Sequence, residues 1–212
     1  MRDLSGTDRL LGAFDHALRT LLGLAGGTGR PAPRPVDPPA ALRETDRRHA
    51  AALMRVNHSG EIAAQALYQG QALFPQSESE RAFLLQAGQE EADHLRWTRD
   101  RIASLGSRTS LLDPVWYLGA FALGALASRL GGPASMGFLS ETEVQVEAHL
   151  KGHLQSLPEQ DLESRAIVQQ MMADERSHAQ AARRRGAADL PTPVPQVMRA
   201  SARLMTSTAY WV

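Results

Sequence analysis

Apolar side chains recur with a helical period almost without interruption from residue 44 to about residue 186, and no alternating strand pattern competes with them. No other feature restricts the fold as strongly, because a chain with this pattern must bury its apolar stripes between helices. Proline and glycine interrupt the period and predict five helices, over residues 44–74, 78–105, 114–130, 133–156 and 159–186.

Four of these helices are long, and a shorter apolar one lies between the second and the third of them along the chain. This order predicts an all-α fold, a ferritin-like four-helix bundle with a crossover apolar helix between bundle helices two and three. A stretch rich in glycine and proline precedes the bundle. We therefore expect an N-terminal amphipathic segment over residues 1–25, a Pro/Gly-rich linker over 26–43 and the bundle domain over 44–212, with a proline-rich hinge at 190–195 before a short amphipathic tail.

The composition excludes several classes of site and partner. The chain has no cysteine, so disulfides, zinc–thiolate sites and iron–sulfur clusters are excluded, and a transition metal must be bound by His, Asp or Glu. Its 23 basic and 23 acidic residues give a formal net charge of zero, whereas nucleic-acid binding needs a basic stripe. We therefore expect no nucleic-acid partner.

Two Glu-x-x-His tetrads are the strongest chemical signal in the sequence. They run from Glu91 to His94 and from Glu175 to His178, and both lie within the apolar stripe of a predicted long helix. One further glutamate on each of the other two long helices points inward by helical phase. The candidate metal ligands are therefore Glu61, Glu91, His94, Glu143, Glu175 and His178.

The spacing of these residues leaves one ligand open. Thirty residues separate Glu61 from Glu91 and 32 separate Glu143 from Glu175, which indicates two related helical hairpins that each supply half of the site. Glu147 lies 28 residues before Glu175 and fits this spacing equally well. Helical phase favours Glu143.

Buried charge decides what such a site must hold. A single inward glutamate could be a solvated charge at the edge of a stripe, but four ionised carboxylates in one core each cost several kcal/mol unless cations bind them. Six oxygen-dominated ligands with one imidazole per metal suit iron or manganese better than copper or zinc. We therefore expect two iron ions, in a di-iron centre that alternates between Fe2+ and Fe3+, as the cofactor.

Other polar residues lie close to these ligands in the predicted bundle. Tyr68 follows the first candidate ligand by two helical turns and His149 flanks the Glu143 face, so both are candidate catalytic residues next to the metals. A core tyrosine with a satisfied hydroxyl and a surface or hydrogen-bonded histidine are the alternatives. Asp93 and Asp174 each stand beside a ligand in the sequence, and we expect them to orient a histidine across the bundle.

The crossover segment, PVWYLGAFALGALAS at residues 114–128, carries no charge and places Trp116 and Tyr117 at one end. Fifteen residues are too few to cross a bilayer, which needs about 20. A buried crossover helix or a subunit interface would explain the segment, and so would a helix that lies in the membrane surface and admits a lipid-soluble substrate. A second apolar stripe, near the N-terminus, predicts an interfacial or docking helix that includes Leu11, Phe14, Leu18, Leu21 and Leu22.

Six longer motifs surround the candidate ligands. They are RVNHSGEIAAQALYQGQ at 55–71, EEADHLRW at 90–97, DPVWYLGAFALGALA at 113–127, ETEVQVEAHLKGHL at 141–154, DERSHA at 174–179 and MTSTAYWV at 205–212. Together they resemble the demethoxyubiquinone hydroxylase family of ubiquinone biosynthesis. The resemblance extends from about residue 44 to the C-terminus, and its motifs are far more specific than a Glu-x-x-His pair.

This resemblance implies a reaction and a location. Members of the family are di-iron-dependent monooxygenases of the 3-demethoxyubiquinol 3-hydroxylase type, which use O2 to hydroxylate the ring of a polyprenyl methoxy-methyl benzoquinol. The family's iron ligands map onto the six candidate positions, none of which is substituted. The resemblance also implies a peripheral membrane protein, which we expect at the cytoplasmic face of the bacterial inner membrane, attached through residues 114–128. Other ubiquinone-biosynthesis proteins and a second copy of the chain are the expected protein partners.

Two other functions fit the residues taken alone. A ferritin-like ferroxidase or other iron-handling protein would present the same ligands, although the uncharged segment 114–128 and the lack of an acidic iron-entry run argue against it. The second is a non-catalytic membrane scaffold. For a hydroxylase the electrons must come from outside the chain, because no Gly-x-Gly-x-x-Gly follows a strand; we expect the quinol or a diffusible reductant to supply them.

Overall fold

Seven α-helices and no β-strand form in the computed structural model, which describes residues 6–38 and 40–212. The helices are α1 (Gly6–Leu22), α2 (Glu44–Gln71), α3 (Glu78–Ser104), α4 (Asp113–Arg129), α5 (Gly132–Ser156), α6 (Leu162–Arg184) and α7 (Pro193–Ala209). The predicted all-α class is confirmed. Helices α2, α3, α5 and α6 are the four long helices of the bundle, and α4 is the crossover helix.

Local signals set the helix ends. Ser77 caps α3 and Asp161 caps α6, each accepting a hydrogen bond from the backbone N–H three residues later (3.0 Å). Because of the second cap, α6 begins at residue 162 and not at the predicted residue 159. Helix α2 ends at residue 71 and not at 74, because Pro75 disfavours helical geometry in the residue before it and the chain leaves through a turn.

The bundle core is divided into three layers along its length. An apolar cluster fills one end and includes Leu53, Met54, Trp97, Ile102, Leu150 and Met171. A second apolar cluster fills the other end and includes Leu67, Leu84, Met136, Leu139 and Ala182. In each helix of the bundle, the stretch between these two clusters carries one of the predicted ligand glutamates. The acidic side chains therefore form a polar layer between two apolar clusters.

Helix α4 connects the two halves of the bundle and lies along α2. The two backbones touch where Gly70 of α2 meets Gly124 of α4. A Cβ atom on Gly70 would lie 2.3 Å from the carbonyl oxygen of Phe121, and a Cβ atom on Gly124 would lie 2.3 Å from that of Leu67. Glycine is therefore required on both sides of the crossing. Across the described residues, no helix combines the length and the apolarity that crossing a membrane would need.

Helices α1 and α7 flank the bundle. Helix α1 packs Ala17 and Leu21 against an apolar cluster of α2, α3 and α4, and leaves Leu11, Phe14, Leu18 and Leu22 exposed. The predicted tail is a helix of 17 residues. Tyr210, which follows this helix, contacts two residues of α2. Its hydroxyl lies 2.8 Å from His49 Nδ1, and its carbonyl accepts a hydrogen bond from Arg55 Nη1 (2.9 Å).

Candidate metal centre

The polar layer in the middle of the bundle contains all six candidate ligands. Helices α2 and α5 each supply one glutamate, and α3 and α6 each supply a Glu-x-x-His pair, whose members share a face because they are three residues apart. None of the six is more than 5% exposed. The side chains that the structure brings together here are those of Glu61, Glu91, His94, Glu143, Glu175 and His178.

The ligand atoms form two overlapping groups. Each group has four residues, whose ligand atoms all lie within 4.8 Å of one another. Both groups contain Glu91 and Glu175. The other members are Glu61 and His94 in the first group, and Glu143 and His178 in the second. Two carboxylates shared between two groups are what a pair of bridged ions needs, with one imidazole and one further carboxylate for each ion.

Both imidazoles present Nδ1 to the carboxylates. His94 Nδ1 lies 3.1 Å from Glu91 Oε2, 3.4 Å from Glu175 Oε1 and 3.5 Å from Glu61 Oε2. His178 Nδ1 lies 2.9 Å from Glu91 Oε1. The same ring nitrogen of each histidine therefore faces the centre of the layer.

The outer nitrogen of each imidazole is bound by an acid of the facing helix. His94 Nε2 donates to Asp174 Oδ2, and His178 Nε2 donates to Glu90 Oε2, both at 2.9 Å. A neutral imidazole that donates from Nε2 keeps the Nδ1 lone pair for a metal. The expected aspartate–histidine bond is confirmed for Asp174. It is wrong for Asp93, whose carboxylate turns to the segment before α2.

Glu90 is the functional neighbour that sequence reasoning missed. A signal for it was present, because an acid directly precedes the glutamate of each tetrad: Glu90 before Glu91, and Asp174 before Glu175. One residue turns a helix by about 100°, which moves that acid from the inward face towards the next helix. Both acids therefore sit where they can bind the histidine opposite.

Five polar atoms of the layer test whether metal ions fit. Glu61 Oε2, Glu91 Oε1, both carboxylate oxygens of Glu175 and His178 Nδ1 are buried and make no hydrogen bond of good geometry among the described residues, although His178 Nδ1 and Glu91 Oε1 lie 2.9 Å apart. An unpaired buried polar atom costs about 1–3 kcal/mol. All five belong to the two groups, so a pair of cations would satisfy them. Four carboxylates neutralise two divalent ions, and this ligand set suits iron or manganese.

The pKa shifts in the layer show the same need for positive charge. Burial raises the pKa of Glu61 and of Glu143 well above the ordinary value, and repulsion from the other carboxylates raises both further. Burial also acts to raise the pKa of Glu91, but the two imidazoles hold it well below its ordinary value. Burial lowers the pKa of both imidazoles, yet the surrounding carboxylates outweigh it and raise each pKa.

Tyr68 lies in this layer and contacts one of the candidate ligands. Its hydroxyl donates to Glu143 Oε1 at 2.6 Å. Burial, and then the charge of Glu143, raises the pKa of Tyr68 well above its ordinary value, so the phenol keeps its proton. Glu147, which the spacing left open as a ligand, instead points to the surface and accepts from Arg176 Nη2 at 2.6 Å. Of the two glutamates, only Glu143 lies in the layer.

His149 belongs to neither group of ligand atoms. Its ring centroid is 4.0 Å from that of His153, and it lines an open cavity of about 440 Å³ together with residues of α7 such as Arg203. Among the described residues, no hydrogen bond joins His149 to any candidate ligand, and its buried Nε2 has no partner. A catalytic role for His149 stays a prediction.

The segment before α2, expected only as a linker, contacts the metal layer from outside. Residues 28–29 donate backbone and hydroxyl hydrogen bonds to Asp93. Arg30 donates to both carboxylate oxygens of Asp174, and the Arg30 carbonyl accepts from Trp97 Nε1 at 3.1 Å. Burial opposes the charge of Arg30, but Asp174, Asp93 and nearby Glu90 outweigh it and raise the pKa of Arg30 above its ordinary value.

Comparison with known proteins identifies relatives of the whole chain. Residues 48–209 match the family model described as Ubiquinone biosynthesis protein COQ7. A protein of Bordetella parapertussis is 55% identical over 206 residues, which cover 97% of this chain and 92% of the relative. One of Verminephrobacter eiseniae is 54% identical over 209 residues (99% and 100%), and one of Nitrosomonas europaea is 55% identical over 205 residues (97% and 98%). All three are named 3-demethoxyubiquinol 3-hydroxylase.

Proposed function

Since the chain belongs to the ubiquinone biosynthesis protein COQ7 family, we propose that it is a monooxygenase that hydroxylates the ring of demethoxyubiquinol with O2 at a pair of iron ions. The relatives are named for this hydroxylation, and the chain is an enzyme of the hydroxylating oxidoreductase class. The residues that would hold the ions are Glu61, Glu91, His94, Glu143, Glu175 and His178.

One observation supports the metal pair above all others: two groups of buried ligand atoms overlap at Glu91 and Glu175. Few structural roles would justify four carboxylates in one dry layer, because each must be neutralised or pay a large desolvation cost. Bound iron would supply the activation of O2 that insertion of oxygen into a ring C–H bond requires. An oxygen-rich set with one imidazole per ion is suited to that metal.

The proposed hydroxylation also needs a source of electrons and protons. A ring C–H bond becomes C–OH with one oxygen atom of O2, and the second oxygen atom leaves as water after two electrons and two protons are consumed. We propose that the quinol itself, which yields both on oxidation to a quinone, or a diffusible reductant supplies them. The isoprenoid tail of the quinol takes no part in this balance.

The chain's own residues would prepare the site in three ways. Apolar clusters at both ends of the bundle exclude water from the layer between them. Asp174 and Glu90 hold the outer nitrogens of the two histidines, which fixes the orientation of both rings. Tyr68 holds Glu143 Oε1 and retains a proton at Oη, so we assign it the role of a proton-holding group beside the ions.

A polyprenyl quinol dissolves in the bilayer, so the enzyme would have to meet it there. We propose that residues 114–128 in α4 attach the protein to the membrane surface, as a peripheral protein at the cytoplasmic face of the bacterial inner membrane. Helix α4 packs one side on α2 and exposes Val115, Leu118 and Leu126 on the other. This uncovered apolar face is the part of α4 that would enter the membrane surface.

Product analysis tests the proposed reaction. The full-length protein, loaded with Fe2+ without air, is given a short-tailed demethoxyubiquinol in detergent and ¹⁸O2, and the quinone fraction is analysed by mass spectrometry. We expect one added hydroxyl that contains one ¹⁸O atom. Fe2+ oxidation without quinol, and no hydroxylated product, would instead favour a ferroxidase.

Two variants provide the controls for this assay. Glu91→Ala removes a carboxylate shared by both groups and should abolish iron binding and product together. Glu147→Ala removes a glutamate of α5 that is bonded to Arg176 at the surface, and it should leave both unchanged. Full function in the cell after Glu175→Ala would mean that the chain acts as a scaffold and not through bound metal.

A further inference from the structure

Arg30 lies outside the bundle helices but donates hydrogen bonds to Asp174, the acid that binds the outer nitrogen of His94. Its guanidinium donates two hydrogen bonds to Asp174, from Nη2 to Oδ2 at 2.5 Å and from Nη1 to Oδ1 at 3.3 Å. A two-point contact of this kind fixes both the position and the plane of a carboxylate. Asp174 Oδ2 in turn accepts from His94 Nε2 at 2.9 Å.

We propose that Arg30 is a positioning residue of the metal centre, acting through Asp174 on the His94 imidazole, an inference that rests on the metal pair proposed above. Asp174 alone is a short side chain at the edge of the layer, and 14% of it is exposed. Without the guanidinium, Asp174 would keep only the Gln170 amide, which donates to Oδ1 at 2.9 Å, and the His94 imidazole as partners. Asp174 would then hold the His94 ring, and the inward direction of its Nδ1, less firmly.

Arg30 also contacts Trp97, whose ring lies beside the His94 imidazole. The Arg30 guanidinium carbon lies 4.8 Å from the Trp97 ring centroid, and the Arg30 carbonyl accepts the indole N–H. The Trp97 ring centroid lies 5.3 Å from that of His94, and the tryptophan is buried. Arg30 therefore constrains both the acid that His94 donates to and the aromatic ring beside it.

The backbone path of this segment is also fixed, which a positioning role requires. Residues 28–29 donate three hydrogen bonds to Asp93. At Gly27 an added Cβ atom would lie 2.4 Å from Asp93 Oδ1 and 3.0 Å from Asp93 N, whereas at Gly26 it would meet nothing within 4 Å. A side chain at residue 27 would therefore displace the Asp93 carboxylate that holds this segment.

Only one of the two acids that bind the histidines, Asp174, accepts hydrogen bonds from an arginine among the described residues. Glu90 plays the part of Asp174 for His178. Arg30 is near enough for its charge to act on Glu90, but in the described part of the chain no arginine donates a hydrogen bond to Glu90. Loss of Arg30 should therefore affect the ion of the group that contains His94 far more than the ion of the other group. A general loosening of the fold would weaken both.

Titration with Co2+ alone, followed through its visible absorption bands, tests this in the full-length protein. The wild type should bind two ions. Losing Asp174, the hydrogen-bond partner of the ligand itself, would typically cost about 10- to 100-fold in metal affinity. Arg30 acts one contact further out, so in Arg30→Gln we expect one binding step to weaken by about 10-fold and the other step to stay within about twofold. Arg30→Lys keeps the charge but not the two-point contact, and should restore only part of the affinity.

Matched variants separate positioning from folding. Gly27→Ala should reproduce the one-step loss and Gly26→Ala should not, and Arg43→Gln, at an exposed arginine paired with Asp46, should also have no effect. Unchanged binding of both ions in Arg30→Gln would overturn the inference. So would equal weakening of both steps with a lower midpoint of urea unfolding. A wild type that binds no pair of ions would overturn the proposed function itself, and this inference with it.

Discussion

At the scale of a single residue, Glu143 makes a good hydrogen bond but is buried beside other carboxylates that repel its charge. Its Oε1 accepts the Tyr68 hydroxyl, while burial, then Glu175 and Glu91, raise its pKa well above the ordinary value. The charge of this side chain therefore destabilises the metal-free fold and would be needed when ions bind. Stability and metal binding should respond in opposite directions when that charge is removed.

We expect Glu143→Gln to stabilise the metal-free protein at pH 8 by about 1–3 kcal/mol, because glutamine fills the same space and accepts from Tyr68 without charge. The pKa of Glu143 is raised in the folded state, so its ionisation lowers stability as the pH rises through that pKa. The gain should therefore fade at low pH, where Glu143 carries a proton. Urea unfolding with a chelator at several pH values measures it, and metal titration should show one ion lost.

Glu147→Gln is the control for this prediction. It makes the same change one helical turn later, at a residue bonded to Arg176 at the surface. Its effect on stability should be within about 0.5 kcal/mol, and both ions should still bind. If Glu143→Gln destabilised the metal-free protein at pH 8 while Glu147→Gln did not, the conflict at Glu143 would be absent.

Helical phase was enough to bring the six candidate ligands together, because each helix is regular and an inward charge must share its face with apolar neighbours. Phase also separated Glu143 from Glu147, which spacing could not do. For Glu90, phase indicates that the side chain turns towards the next helix but not which residue it binds there. Phase could not reveal Arg30 at all, since Arg30 lies outside the helices and its partners lie on other elements. A hydrogen bond between elements depends on how they pack, and that information is not carried by the period of either one.

At the scale of elements, α2 and α4 approach too closely for a side chain to fit between them. We expect Gly124→Ala to destabilise the protein by about 1–3 kcal/mol, because its methyl group would meet the backbone oxygen of Leu67, which cannot move aside. Gly119→Ala, in the same helix, meets nothing within 4 Å and should stabilise it by about 0.5–1 kcal/mol. Urea unfolding measures both; a loss in both variants of the same size would contradict a specific close crossing.

The start of α4 carries a group that links stability to pH. Asp113 is buried and accepts from Ser59 Oγ at 2.6 Å, and burial raises its pKa from 3.8 to about 6. Because the folded pKa lies above the unfolded one, the stability that a protonated Asp113 provides is lost as the pH rises through about 6. Asp113→Asn keeps an oxygen for Ser59 and should gain about 1 kcal/mol relative to the wild type between pH 5 and 7.5.

Unfolding of the two metal-free proteins across this pH range tests the Asp113 prediction. The difference in their free energies of unfolding isolates Asp113 from the other titrating groups, which are common to both proteins. Parallel curves would mean that Asp113 is ionised in the folded protein at all these pH values.

Proline and glycine positions gave the order of the bundle helices and of the crossover helix, because a break in a helix is a local event. Exact ends were less predictable. Helix α6 begins only where Asp161 can cap it, and α2 ends before Pro75 restricts the preceding residue. The segment at residues 27–30 was the largest omission, since glycine-rich composition indicates freedom from helix but says nothing about what the backbone contacts.

At the scale of the whole molecule, apolar surface is left uncovered on three helices outside the bundle. Helix α4 exposes one face, α1 exposes a stripe that includes Leu11 and Phe14, and α7 exposes Val197 and Leu204. The sequence predicted the amphipathic stripe of α1 and the uncharged length of α4. It could not predict which side of α4 stays exposed, because that depends on how Gly70 and Gly124 set α4 against α2.

Each of these three surfaces could attach the protein to a membrane, and the proposed function assigns that role to α4. Variants of each surface should therefore differ in membrane binding. We expect Leu118→Gln combined with Leu126→Gln to weaken binding to phospholipid vesicles at least about tenfold, because each leucine buried in a bilayer contributes about 1.5–3 kcal/mol. Co-sedimentation with vesicles measures this. Leu118 and Leu126 are 69% and 59% exposed, so their loss should leave the free energy of unfolding nearly unchanged.

Helix α7 offers a control that matches this pair in number and exposure. Val197 and Leu204 are 64% and 60% exposed, and replacing both with glutamine removes a similar apolar area from another helix. If α4 is the attachment surface, the α7 variant should bind vesicles like the wild type. Weaker binding by the α7 variant, with normal binding by the α4 variant, would move the attachment surface to the other element.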